Sequence, residues 1–343
     1  MTERRVHAIG SYPADTPEAA MRAVLKHAGP RLAYLPDGET GARRDWIMGI
    51  IKGLRGHPDL QVRREGDYSD YRHPLNFKVR RGHRLDGASL DFGHVAAYEM
   101  AQEPFQALRT EFDRGDLDFQ VGIPGDLDMV MFTLGPTGPF THRAPFTDAT
   151  IREITDIHQL GGDGVLFQLE VPAEQVFVAT APAPLRPGIA RWTGSGIAEL
   201  ARRAPVGTRF GVHMCLGDLG HKAMISLSDA QPLVVMANAL ARRWPSDRPL
   251  EFIHAPLAAG EDPPPLDSAF YAPLHRLRLP QRTRFVAGFL HEGRSTSEHK
   301  RILAAIEDAV GVPVDLAASC GLGRRSRDAA EQTLARGVEL CEA

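Results

Sequence analysis

RFGVHMC, residues 209–215, is an apolar run too short for a helix. It ends in His213 and Cys215, two residues apart. In an extended chain residues i and i+2 share a face, so the two side chains point to one side. Runs of the same character follow at LEFIHAP (250–256), FVAGFLHE (285–292) and VDLAASCG (314–321). Toward the N-terminus lie GVLFQLE (164–170), DFQVGI (118–123), LAYLPD (32–37) and VHAIGS (6–11). Between them stand stretches of helical periodicity, such as PEAAMRAVLKHAG, LVVMANALARRW and HKRILAAIEDAVG. Strands alternating with helices predict parallel βαβ units. The last five runs begin at 164, 209, 250, 285 and 314, a spacing of roughly 30–45 residues. One strand, one crossover helix and two loops fill that length. Eight strands with a helix after the last predict an α/β fold, a single TIM (β/α)8 barrel over residues 1–343. A doubly wound sheet would call for G-x-G-x-x-G after the first strand, and IGSYPAD is not that turn.

One connection breaks the rhythm. Residues 38–117 separate the second and third predicted strands, too long for a bare loop in a compact domain. This insertion is expected to form a cap over the C-terminal face of the barrel. Bulk properties narrow the function. Hydrophobic residues are 43% of the chain, enough to fill a core, and 40 basic against 43 acidic residues leave a net charge of −3. That balance predicts neither nucleic acid nor an anionic membrane as partner. No apolar run approaches the ~20 residues that cross a bilayer. MTERRVHAIGSYP lacks the apolar core of a signal peptide, so a cytoplasmic location is expected. The three cysteines, Cys215, Cys320 and Cys341, cannot all pair, and reduced thiols are expected.

Active sites of such barrels lie at the C-terminal strand ends. Those ends carry Gly10-Ser11, Asp37-Gly38-Glu39, Glu170, His213 with Cys215, His254, His291-Glu292 and Cys320. Two of three cysteines and three histidines on one rim predict a metal centre. His213, Cys215, His254 and Cys320 make a sulfur and nitrogen set of the kind zinc prefers. Glu251 lies on the opposite face of its strand and is the poorer ligand candidate. Cys341 and His221 are expected to be incidental, His221 at the surface.

These residues carry a resemblance. IGSYP (9–13), DGE (37–39), QLEVPA (168–173), HMC (213–215), GFLHEG (288–293) and SCGLGRR (319–325) resemble, in order, motifs of the catalytic, C-terminal barrel of cobalamin-independent methionine synthase. That barrel belongs to a wider group that includes uroporphyrinogen decarboxylase. The match runs from residue 6 to about 330 and rests most on HMC followed by CGL a hundred residues later. The resemblance implies a zinc ion held by His213, Cys215 and Cys320. Its fourth ligand, a glutamate in that family, falls on His254, with Glu251 as the alternative. It implies substrate contacts from Ile9, Gly10 and Ser11 to a carboxylate and from Glu39 and Glu170 to an ammonium. It makes His291 a proton-relay residue.

The implied activity is zinc-dependent methyl transfer to a small thiol, homocysteine or another. The folate-holding N-terminal barrel and the tryptophan stretch of that family have no counterpart here. The donor therefore stays open between folate, a methyl-corrinoid and another compound, with a partner protein as a further source. The segment from Asp37 to Trp46 and the change at Val171 also alter the pocket that would hold the thiol. Three alternatives remain: a zinc thiol alkyl transferase acting on an epoxide, corrinoid or methoxylated compound; a uroporphyrinogen-decarboxylase-like lyase; and a closed, non-catalytic zinc site. Salt bridges to Arg43 or Arg44 are the alternative role for the two glutamates.

Overall fold

All but one of the apolar runs form strands in the computed structural model, which describes residues 3–45 and 47–343. In chain order the strands are β1 (Tyr34–Pro36), β2 (Leu60–Arg64), β3 (Asn76–Val79), β4 (Asp118–Pro124) and β5 (Val165–Glu170). They continue with β6 (Arg209–His213), β7 (Leu250–Pro256), β8 (Arg284–Leu290) and β9 (Asp315–Ala318). Seven of them pair in one all-parallel sheet, in the order β1-β4-β5-β6-β7-β8-β9. Sequential neighbours that pair in parallel need a crossover each time; between β7 and β8 it carries only the short 3-10 turns Ser268–Phe270 and Ala272–Arg276, and the other connections and the chain ends carry α-helices. They are α1 (Pro17–Ala28), α2 (Ile47–Gly53), α3 (His94–Glu111), α4 (Asp126–Leu134), α5 (Gly138–Thr141) and α6 (Arg143–Gly161). Beyond them run α7 (Pro172–Thr180), α8 (Arg186–Arg203), α9 (Gln231–Ala241), α10 (Thr296–Val310) and α11 (Arg327–Cys341). Their starts are written locally: Ser295 and Glu298 close a capping box on α10, and the Ser326 side chain caps α11.

The exception is the run at 6–11. It makes one parallel bridge, Val6 to Leu316 in β9. His7 N donates to Leu316 O at 2.8 Å, and on the other side Val6 N donates to Arg31 O at 3.0 Å. The segment thus runs between the last strand and the turn that enters β1, and the sheet curls around it. Its next carbonyls are not offered to a strand. Gln120 Nε2 donates to Ala8 O (2.9 Å) and Ile9 O (2.7 Å), and Gln168 Nε2 donates to Ile9 O (2.7 Å). Buried carbonyls need partners, and here side chains from β4 and β5 supply them in place of a ladder. Among the described residues the parallel sheet therefore has seven strands where eight were expected.

The strands are apolar because they are buried on both faces, as parallel strands are. Phe167, Phe210 and Phe289 are fully buried between sheet and helices. The long connection between β1 and β4 ends in α3, which packs on α1, α6 and β4 as a crossover helix does. Its earlier part is additional structure. β2 and β3 form an antiparallel pair of their own. Ile47, Ile51, Leu60 and Phe77 from this part bury against Met129, Val130 and Phe146 of α4 and α6, a second apolar cluster apart from the main one. Trp46 lies outside the described residues. Among the described residues no helix is long and apolar enough to cross a membrane.

Candidate metal centre and pocket

Strand register brings the polar residues together. Glu170 of β5 pairs with His213 of β6, and His213 pairs with His254 of β7. His213 and His254 are almost fully buried, and their Nδ1 atoms lie 2.7 Å apart. The other nitrogen of His254, Nε2, stands 3.0 Å from Ala318 O. A carbonyl only accepts, so the His254 proton sits on Nε2. Burial holds the pKa of His254 down to about 3, so the ring is neutral and its Nδ1 accepts. His213 must then carry its proton on Nδ1. Burial also pushes its pKa well down. Its Nε2 is left with a bare lone pair and is buried without a hydrogen-bond partner.

Two thiols meet that lone pair. Cys215 follows β6 and Cys320 follows β9, and their Sγ atoms are 3.6 Å apart. One ligand atom from each of His213, Cys215 and Cys320 falls within 4.8 Å of the others. The contact with Cys215, together with burial, raises the Cys320 thiol well above its ordinary range. Two sulfurs and an unpartnered imidazole nitrogen are a donor set that fits zinc, with a position left for a further ligand.

Neither residue expected as the fourth ligand joins this group. His254 has both nitrogens engaged and stands behind His213, where it orients the ring. Glu251 sits near the start of β7, at the opposite end of the sheet. Arg209 Nε donates to it at 2.9 Å, and the same guanidinium reaches Asp118 at 2.6 Å. His291 is also placed differently from expectation. Its Nε2 lies 3.1 Å from Gly260 O, its Nδ1 accepts from Gly293 N at 2.9 Å, and it does not line the pocket holding the two thiols. His221 is half-buried rather than free at the surface. It bridges Asp218 (3.3 Å) and Glu292 (3.2 Å), and those carboxylates raise its pKa to about 9.

Glu39 and Glu170 do come together. A Cβ on Gly122 would fall 2.7 Å from Glu39 Oε1 and 3.1 Å from Glu170 Oε1, so both carboxyls lie over that glycine, which only the lack of a side chain allows. Glu39 is held there by a turn in left-handed backbone (φ 44°), its amide donating to Asp37 Oδ1 at 2.9 Å. Burial raises Glu39 to about 7 and Glu170 well above its usual range, the latter also through its neighbour Glu39. Salt bridges do not neutralise them directly. Arg43 is taken by Asp37 at 2.5 and 2.9 Å, and Arg44 donates to Ala14 O at 3.0 Å. Gly10 fits against the Glu39 carboxyl, and the Ser11 amide hydrogen-bonds it. Ile9 and Ser11 line the pocket.

The pocket spans these groups and a second wall. That wall comes from residues the motif reading did not weigh: Asp45, Met48 and Tyr71 from the long connection, Phe132 from α4, and Met224. Tyr71 Oη accepts from Leu219 N at 3.0 Å. Arg324 and Asp218 complete the rim. The arginine pair after C-G-L was visible in the sequence as SCGLGRR, without sign of which one turns inward.

No protein-family model matches the sequence, and no curated protein sequence matches it. Solved structures do match. A B12-independent methionine synthase from Shewanella sp. W3-18-1, in complex with selenomethionine, superposes with TM-score 0.62 at 12% identity, over 99% of this chain and 97% of that one. A methyltransferase from Methanosarcina mazei gives TM-score 0.57 at 12% identity, over 100% and 94%. A putative vitamin-B12 independent methionine synthase from Listeria monocytogenes gives 0.54 at 12%, over 99% and 98%. The chain therefore resembles methionine-synthase-like proteins along nearly its whole length, and at this identity the likeness is one of fold.

Proposed function

We propose that this chain is a zinc-dependent methyltransferase whose acceptor is a small thiol. The observation that carries the reading is the bare Nε2 of His213, buried beside two thiols at the mouth of a sheet that resembles those of methyltransferases. Zinc, when bound, lowers the pKa of a coordinated thiol from about 8.5 and keeps the sulfur nucleophilic at neutral pH. His213, Cys215 and Cys320 would hold it, with His254 fixing the imidazole.

The residues around them do the rest. Glu39 and Glu170, side by side and without a direct salt bridge, receive an ammonium on the thiol substrate, homocysteine or a relative of it. The substrate sulfur attacks the methyl carbon, the new S–C bond forms, and the bond to the donor breaks with its electron pair leaving on the donor. Tyr71 accepts from Leu219 N, so its hydroxyl proton can hydrogen-bond a donor group in the pocket, although burial raises its pKa and makes it a poor proton source. His291, with both nitrogens used, is not positioned to supply a proton there. Met48, Phe132 and Met224 give the donor side an apolar wall, which suits a compact methylated compound or a corrinoid better than a polyanionic folate tail. The same wall favours, as a second reading, a thiol alkyl transferase with another carbon electrophile. A decarboxylase for a polycarboxylate would need several cations at the rim, and among the described residues the pocket wall carries one arginine, Arg324.

X-ray absorption at the zinc edge, before and after adding homocysteine, tests the reading. A first shell of two sulfurs that becomes three is the expected result. A shell unmoved by any small thiol, or a protein that retains no zinc after metal-replete expression, refutes it.

A further inference from the structure

The loop after β9 is tied down on both sides of Arg324. Leu322 N donates to Ser11 O at 2.7 Å, Gly323 N to Ser11 Oγ at 3.3 Å, and Arg325 Nε to Glu292 Oε2 at 2.8 Å. The backbone is thus fixed, and the Arg324 side chain, 12% exposed, is sent into the pocket. There it donates no hydrogen bond among the described residues. Its Nε is buried without a partner, and the nearest carboxylate, Asp218 Oδ2, stands 3.7 Å from NH1. Asp218 is itself shared, since His221 contacts its other oxygen. A guanidinium has five donors and no acceptor, and a buried one without hydrogen bonds is rare in folded proteins.

In the segment that the resemblance assigned to a substrate carboxylate, the Ser11 amide is already turned to the Glu39 carboxyl, while the Ser11 hydroxyl accepts from Gly323 N and keeps its own proton free to donate. We propose that Arg324 is the specificity-determining residue for the acceptor, binding a carboxylate carried on the thiol substrate, while Glu39 and Glu170 face its ammonium. This rests on the thiol-acceptor reading above. An α-amino acid thiol would lie across the pocket, its carboxylate toward Arg324 and its sulfur toward Cys215 and Cys320. Arginine suits this role better than lysine because its planar fork matches a carboxylate with two parallel hydrogen bonds.

The test uses two thiols that differ only in the carboxylate, homocysteine and 3-mercaptopropylamine, titrated by calorimetry into zinc-loaded protein. Homocysteine is expected to bind at least ten-fold more tightly. In Arg324→Gln that ratio should fall below three-fold with the affinity for 3-mercaptopropylamine unchanged, and Arg324→Lys should keep part of it, a partial rescue that shows the loop still folded. Equal binding of the two thiols to the wild type, or a ratio untouched in Arg324→Gln, overturns the inference while leaving the thiol reading standing. Failure of both thiols to bind the zinc-loaded protein overturns the two together.

Discussion

Replacing His254 by alanine separates an orienting residue from a ligand. In the wild type the Ala318 carbonyl fixes the proton on His254 Nε2, and His254 Nδ1 accepts from His213 at 2.7 Å. Alanine removes that acceptor and leaves the His213 N–H buried and unpaired, a cost of about 1–3 kcal/mol. It also frees His213 to rotate and to change tautomer, so that its Nε2 no longer points reliably at the two sulfurs. Losing an outer partner of a metal-bound histidine weakens metal affinity about 10–100-fold, or roughly 1.4–2.7 kcal/mol. The assay is zinc affinity by competition with a chromophoric chelator, with circular dichroism to establish folding. His254→Asn places an amide near the site of Nδ1 and is expected to recover most of the loss. A His254→Ala protein with unchanged zinc affinity would refute the tether. One that loses zinc as completely as a cysteine variant would make His254 a ligand.

Cys215→Ser and Cys320→Ser are each expected to lose bound zinc while keeping the wild-type dichroism, read by elemental analysis; full retention in both removes them as ligands. Glu251→Ala should leave zinc content unchanged and lower stability by no more than about 1 kcal/mol, because the partly exposed Arg209 keeps Asp118; zinc loss there would put Glu251 at the metal. Asp128 of α4 and Glu174 of α7 form a fully buried carboxyl pair in which burial raises Glu174 to about 7 and Asp128 well above its usual value. A raised carboxyl pKa contributes stability that is present below the unfolded value near 4.5 and is lost as pH rises through about 7. At 1.36 kcal/mol per unit, the Glu174 shift amounts to something on the order of 3 kcal/mol. Asp128→Asn removes the like charge and should raise the melting temperature at pH 8 more than at pH 5; a lower value at pH 8 would show that the pair is not short of counter-charge.

The parallel strands were readable because burial on both faces makes each a continuous apolar run, as in RFGVHMC and LEFIHAP. VHAIGS has the same composition, yet its carbonyls are bonded by Gln120 and Gln168, more than a hundred residues away, and nothing local records that. The rim position of His213, Cys215 and Cys320 followed from strand ends. The depth of His254 did not, because it depends on the register between β6 and β7 rather than on spacing within either strand. His291 was placed by its strand end as well, but Gly260 and Gly293 take up both its nitrogens. The length of the connection after β1 announced extra structure. Its β2–β3 pair and its share in the pocket wall arise from contacts with α4 and α6 that no single stretch encodes.

The second apolar cluster has a consequence for how this protein can change. Met48 reaches the pocket from an apolar cluster that the long connection shares with α4 and α6, while His213, Cys215 and Cys320 sit at the strand ends of the main sheet. Substitutions in separate clusters without shared partners add in their effects rather than compound. The apolar wall around Met48, proposed above to select the donor, can therefore be remodelled with little effect on His213, Cys215 and Cys320; Tyr71 is the exception, since it accepts from Leu219 N in the loop after Cys215. In evolutionary terms such an arrangement lets the proposed chemistry be kept while the specificity of its pocket is exchanged.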